Sequence, residues 1–259
     1  MFKGKLKNIY IYRHTLWDMA RRQLKTKYAG SKLGIWWAVI TPLLLAASIN
    51  FVFTTAFKIE IKNYALFVLS GLIPWFFFSS ALNEAANSFA GNSPILKQAI
   101  FPREFIPLSI VLANLMNFLI SLIFLLPLFI ILNPQVIKFL PLLIGIIVIY
   151  AIFLSGLGVL FSVINVFFRD LSHLLSFALM VWFWITPVFY FLESIEFPFR
   201  WVCLFNPMTY FVILFQAALF WAKAPSFADI FTVLLLSASF FILGYSFFKK
   251  KEPLLLKRL

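Results

Sequence analysis

Charge, cysteine and histidine are all scarce in this sequence, and each scarcity removes a class of function. Only 12% of the 259 residues are Asp, Glu, Lys or Arg, and seven stretches of 19 to 30 residues hold none of them. Carboxylates inside a membrane usually mark a proton or ion relay, so their absence from these stretches argues against an ion-coupled carrier. The single cysteine, Cys203, forms no internal disulfide, and the two histidines, His14 and His173, lie far apart. Without an HExxH motif or paired cysteines the sequence offers no metal site. It also lacks a GxxxxGK[ST] phosphate loop, so any ATP must be handled by another chain. An enzyme acting on lipid would need acid, base or metal ligands, and only Glu84, Glu104 and Arg169-Asp170 are placed near a membrane surface.

What the chain does have is apolar length. The stretches run Leu33 to Phe57, Asn63 to Leu82, Phe105 to Leu132, Phe139 to Phe168, Leu171 to Leu192, Trp201 to Ala222 and Ile230 to Phe248. About 20 residues rising 1.5 Å each cross a hydrocarbon layer about 30 Å thick. At 63% hydrophobic the chain has too little polar surface for a water-soluble globule. Spanning β-barrels alternate apolar and polar residues, and these runs do not. The sequence therefore reads as an all-α integral membrane protein, one transmembrane domain over residues 1–259. Its formal charge of +13 flanks the spans, which suits anionic lipid heads and not nucleic acid. Some thirty basic and amphipathic residues precede the first span, unlike a secretory signal.

If all seven stretches crossed, the chain ends would face opposite sides and Lys and Arg would divide 13 against 9. If Trp201 to Ala222 stays on the far side, only Lys58, Lys62, Lys138, Arg200 and Lys223 remain there, five of the 22. The positive-inside tendency favours the second arrangement, with six spans (33–57, 63–82, 105–132, 139–168, 171–192, 230–248) and both termini cytoplasmic. Asn206-Pro207 supports it, because proline withdraws a backbone donor and favours a break. Residues 197–225 then form short, partly immersed helices at the outer mouth; a kinked seventh span is the alternative.

Before the first span, Thr15 to Ala29 (within 12–30) reads as an amphipathic helix in the interface plane, opened by Thr15 and Asp18 in capping-box spacing. Leu16, Trp17, Met19, Ala20, Leu24 and Tyr28 share one half of its circumference, and Asp18, Arg21, Arg22 and Lys25 the other. Lys27 falls on the apolar side and would have to snorkel. Between the second and third spans, residues 84–104 are the longest polar interruption on the cytoplasmic side. Ser93 is a good N-cap, Pro94 suits the first helical position and Pro102 stops the run, giving a helix of about two turns. So short a helix needs external support. Ile95, Leu96, Ala99 and Ile100 supply an apolar side suited to a groove on another protein or to packing on the membrane domain itself.

Four segments carry a family resemblance: YAGSKLGIWWAVITP at Tyr28 to Pro42, GLIPWFFFSSALNEAANSFAGNSPILKQAIFPREFIPLS at Gly71 to Ser109, FFRDL at Phe167 to Leu171 and NPMT at Asn206 to Thr209. In this order they resemble the membrane subunits of ABC-2 type polysaccharide exporters, of the O-antigen, capsule and teichoic-acid kind. The resemblance implies a half-transporter of the cytoplasmic (inner) membrane. Two copies pair around a channel for a lipid-pyrophosphate-linked glycan, and two separate ABC subunits bind ATP and Mg, so this chain carries no cofactor. The family's ATPase-coupling helix is matched by Ser93, Pro94, Ile95, Leu96, Lys97, Ala99 and Ile100, and its outer gating helices by the segment broken at Asn206 and Pro207. Arg21, Arg22, Lys25 and Lys27 become candidates for the pyrophosphate, since a doubly charged head needs neutralising near the interface.

Aromatic residues make up 20% of the chain, with 35 Phe and 8 Trp. Sugar C–H faces pack on flat rings without fixing one position, which suits a moving polymer. Trp36, Trp37, Trp75, Trp182, Trp184 and Tyr190 are the candidate channel-lining rings, against lipid exposure or core packing. Asn114, Asn117 and Ser121 lie on one face of the third span, either bonding between helices or facing a wet channel. Ala151, Ser155, Gly158 and Ser162 form a small-residue stripe for close helix packing. An ABC-2 exporter of small hydrophobic compounds and a non-transporting scaffold or lipid-modifying enzyme are the competing functions.

Overall fold

The computed structural model describes residues 11–58, 61–91 and 102–258. Its described elements are helices. The amphipathic α1 is Arg13–Lys27. A 3₁₀ turn at Gly34–Trp36 leads into α2, Trp37–Thr55. There follow α3 (Tyr64–Ala86), the single turn α4 (Ser88–Gly91), α5 (Phe105–Leu132), α6 (Leu140–Phe167) and α7 (Leu171–Ile185). The distal hairpin comprises α8 (Phe199–Phe205) and α9 (Pro207–Gln216), and α10 is Phe227–Arg258.

Five of these helices, some with a leading 3₁₀ turn, are long and apolar enough to cross a membrane. The α8–α9 pair bends by 86° at Asn206, where the Asn-Pro dipeptide predicts a break. Helix α3 is apolar on every side through its first half and forms the axis of the bundle, touching α2, α5, α6, α7 and α9. A helix hydrophobic all round belongs in a core, and from Leu66 to Trp75 every residue of α3 is buried. Helix α10 instead lies along α6 and turns its other faces outward.

The tightest crossing joins α6 to α10. A Cβ on Gly244 would lie 2.1 Å from the Gly156 carbonyl oxygen, and one on Gly156 would lie 2.5 Å from the backbone at Phe240 and Phe241. Gly158, from the small-residue stripe, faces Val111 and Ala85 instead. Gly158 thus packs toward α3 and α5, and the Gly156–Gly244 pair makes the closer backbone approach.

A second core gathers Phe89, Ile106, Val163, Phe248 and Leu255, with Met19 against it. It brings α1, the start of α5, the end of α6 and the last turns of α10 to one end of the bundle. Both described chain ends therefore lie at the same end of the bundle, the proximal end. Arg103 reaches Glu252 at 3.5 Å there.

Several boundaries depart from the sequence reading. Helix α1 starts at Arg13 with Tyr12 at its N-cap and no side-chain cap, so Thr15 and Asp18 sit inside the helix and form no capping box. The fifth apolar stretch is helical only to Ile185; Pro187 forces Thr186 into extended backbone (ψ 133°) and the chain turns back over the bundle. The last helix does not end at Phe248 but runs through Pro253 to Arg258, so the basic tail is helix. Residues 92–101, which include the whole expected coupling helix from Ser93 to Ile100, lie outside the described residues.

Candidate functional site

At the proximal end, three helices meet through side-chain bonds. Lys27, closing α1, places Nζ 2.9 Å from Glu84 Oε1 and 2.8 Å from Asn114 Oδ1. Asn114 donates to Glu84 Oε2 at 2.7 Å, completing a triangle among α1, α3 and α5. One turn along α5, Asn117 accepts a short bond from the Tyr28 hydroxyl, and Ser121 donates to the Ala38 carbonyl at 2.6 Å. The polar face of α5 therefore ties down the N-terminal segment. Burial, reinforced by the Glu84 carboxylate and opposed by the Asn117 bond, raises the Tyr28 phenol above its ordinary value. A cavity of about 400 Å³ opens beside this network, lined by Lys27, Tyr28, Ser31, Trp37, Thr41, Phe76, Ser80, Asn117 and Ser121 among others.

Phe76 and Ser80 also belong to a second cavity of about 500 Å³ between α2, α3 and α7. Its wall is amphipathic. Trp75, Phe76, Leu179, Phe183 and Trp184 provide rings and apolar surface, while Ser79, Ser80, Asn83, Glu84 and Ser176 bring polar groups. Asn83 donates to Ser176 at 2.9 Å, fixing α7 against α3. On either side the helices turn large apolar residues outward: Leu44, Phe51 and Val52 from α2, and Phe177, Met180 and Trp184 from α7. The groove is thus open and amphipathic, with exposed apolar side chains on both flanking helices.

The hairpin lies at the distal end. Asn206 is buried and uses every polar atom: Oδ1 accepts from Met208 N at 2.9 Å and from Trp182 Nε1 at 2.6 Å, and Nδ2 donates to Thr186 Oγ1 at 2.8 Å. It caps α9 and fastens the bend to the end of α7. Gln216 donates to the Pro187 carbonyl at 2.9 Å, and Tyr64 to the Phe189 carbonyl at 2.5 Å. Gly71 lets this returning segment sit on α3, since its Cβ would lie 3.1 Å from the Val188 backbone.

The candidate rings have separate placements. Trp37 lines the proximal cavity, and Trp36 points outward against Phe124, with ring centroids 5.1 Å apart. Trp75 is buried in the groove wall against Phe183, whereas Trp184 is 60% exposed at the rim. Trp182 faces the hairpin and lines a different, apolar cleft with Phe177, Val202 and Phe205. Tyr190 sits in the returning segment and donates to the Trp184 carbonyl at 3.1 Å. Arg21, Arg22 and Lys25 lie exposed on α1, and only Lys27 of that set enters the network. The sequence reading missed the stripe of Ser79, Ser80 and Asn83 on the second span, although three polar residues within five of an otherwise apolar helix were visible. It also missed Gln216, a buried polar residue in the stretch after Pro207. Among the described residues no group of three His, Cys, Asp or Glu could hold a metal ion.

The pattern of the ABC-2 type transporter family matches residues 14–220. The chain belongs to the ABC-2 type transporter family. It is 34% identical over 207 residues to the O-antigen export system permease protein RfbA of Klebsiella pneumoniae, covering 75% of this chain and 76% of that one. It is 32% identical over 250 residues to the permease of the same name from Myxococcus xanthus, with 90% and 93% covered. The polysialic acid transport protein KpsM of Escherichia coli is 25% identical over 206 residues, with 76% and 78% covered. As an ABC-2 membrane subunit the chain is a permease and not an enzyme, consistent with its lack of a phosphate loop.

Proposed function

We propose that this ABC-2 subunit exports a lipid-linked cell-surface polysaccharide of the O-antigen kind across the cytoplasmic membrane. Two copies bring their grooves together, α2 and α7 of each supplying the rims, and the glycan moves along the conduit between them. Two separate ABC subunits bind ATP and Mg²⁺ and dock on the segment containing Ser93, Pro94, Ile95, Leu96, Lys97, Ala99 and Ile100. Both termini face the cytoplasm, the side that the charge distribution favours. Arg21, Arg22 and Lys25 draw the anionic head group to the proximal interface.

The observation that carries this reading is the groove between α2, α3 and α7, polar along its floor and rimmed by exposed apolar side chains that nothing in one copy covers. Hydroxyls, amides and rings suit a sugar chain; a carrier for small greasy compounds needs no row of Ser79, Ser80, Asn83 and Ser176. The names of the relatives point the same way. A deletion strain tests it: lipid-linked glycan should accumulate inside the cell and disappear from the surface, and unchanged surface glycan would refute the proposal.

A further inference from the structure

The lysine nearest the groove is already neutralised. Lys27 spends its charge on Glu84 and Asn114, yet the pair is only partly shielded, with side chains 27% and 44% exposed. Glu84 lines the groove and Lys27 lines the neighbouring cavity, so the ion pair stands as a bar where the two meet at the proximal end. A diphosphate head passing this point would face the Glu84 carboxylate at close range. Repulsion would oppose it unless the lysine changed partners.

We propose that Lys27 and Glu84 form an exchange site for a diphosphate ester, with Glu84 the resident anion that the head group displaces. The inference rests on the lipid-linked substrate proposed above and adds the residue that selects for it. A partly exposed ion pair contributes little, so the exchange is cheap in one direction and reversible in the other. A dianion outcompetes one carboxylate for the ammonium, whereas a neutral or singly charged lipid does not, which makes Glu84 a filter for charge. Asn114 is the pivot. It bonds both partners, and its amide can keep holding Glu84 Oε2 when Lys27 leaves. Because Lys27 closes α1, its change of partner is felt along the helix that also carries Arg21, Arg22 and Lys25.

The two charges should then act with opposite sign. The test uses the permease with its ATPase subunits, reconstituted in vesicles doped with a polyprenyl diphosphate, and reads ATP hydrolysis against lipid content. Glu84→Gln removes the competitor and keeps the hydrogen bond to Asn114, so half-maximal stimulation should need about two- to fivefold less lipid. Lys27→Met should lose the stimulation and Lys27→Arg should keep it. A singly charged anionic phospholipid should stimulate the native complex weakly, which separates the dianionic head from general lipid charge. If Glu84→Gln and Lys27→Met both weaken the response, the pair is only a structural tie and the exchange site is refuted while the substrate reading stands. If the native complex ignores polyprenyl diphosphate altogether, the substrate reading itself fails.

Discussion

Trp182 donates its indole N–H to Asn206 Oδ1 at 2.6 Å, and this bond joins the last turn of α7 to the bend of the distal hairpin. The same oxygen caps α9, and the same side chain donates to Thr186. One asparagine therefore fastens the distal hairpin to the end of α7.

Asn206→Ala removes the cap and leaves the Trp182 N–H without its partner. A lost cap costs about 0.5–2 kcal/mol and an unsatisfied buried donor about 1–3 kcal/mol. The expected result is a clear fall in thermal stability of the detergent-solubilised protein, together with faster thiol labelling of the buried Cys203 in the adjoining α8. Asn206→Asp keeps the cap and loses only the donation to Thr186, so it should fall between. Native stability and labelling in Asn206→Ala would remove Asn206 as a clasp.

The crossing of α6 and α10 makes a sharper packing prediction. Gly244→Ala drives a methyl group to within 2.1 Å of the Gly156 carbonyl, so the helices must separate, at a cost of about 1–3 kcal/mol or more. Gly145→Ala on the same α6 meets nothing within 4 Å and serves as the control. Thermal denaturation should show a marked loss for Gly244→Ala and none for Gly145→Ala, where alanine's helix propensity helps by up to about 1 kcal/mol.

The groove tryptophans should separate packing from transport. Trp184 is 60% exposed and Trp75 only 5%, although both line the groove. Trp184→Ala should fold normally and slow the appearance of glycan at the surface by several-fold. Trp75→Ala should lower protein stability and export together, because it leaves a void beside Phe78 and Phe183. Normal export by a well-folded Trp184→Ala protein would assign that ring to lipid contact alone.

Much of this architecture was legible because a membrane simplifies the code: uncharged length marks a pass, and basic residues mark a side. The unequal division of Lys and Arg pointed to chain ends on a shared side, and Met19 packs in one cluster with Phe248 and Leu255. Asn206-Pro207 announced its own bend. The end of the fifth stretch was harder to see, because Thr186 to Leu192 is as apolar as the helix before it and only Pro187 marks the turn. Hydropathy reports burial, not direction. The fate of Lys27 was hidden for a different reason: helical spacing placed it on the apolar side, and its partners Glu84 and Asn114 are 57 and 87 residues away. Likewise the i, i+3, i+7 pattern of Asn114, Asn117 and Ser121 marked a common face but could not name Lys27, Tyr28 and Ala38 as what it grips.

The central claim is that this subunit forms a conduit for a lipid-linked glycan and takes its energy from a separate ATPase. The most direct measurement reconstitutes the permease with and without its ATP-binding partner and follows a lipid-linked glycan across the vesicle wall. Movement should require ATP and both proteins, and should stop in Leu96→Asp although the permease still inserts. Glycan crossing without the partner, or at the native rate in Leu96→Asp, would contradict the account.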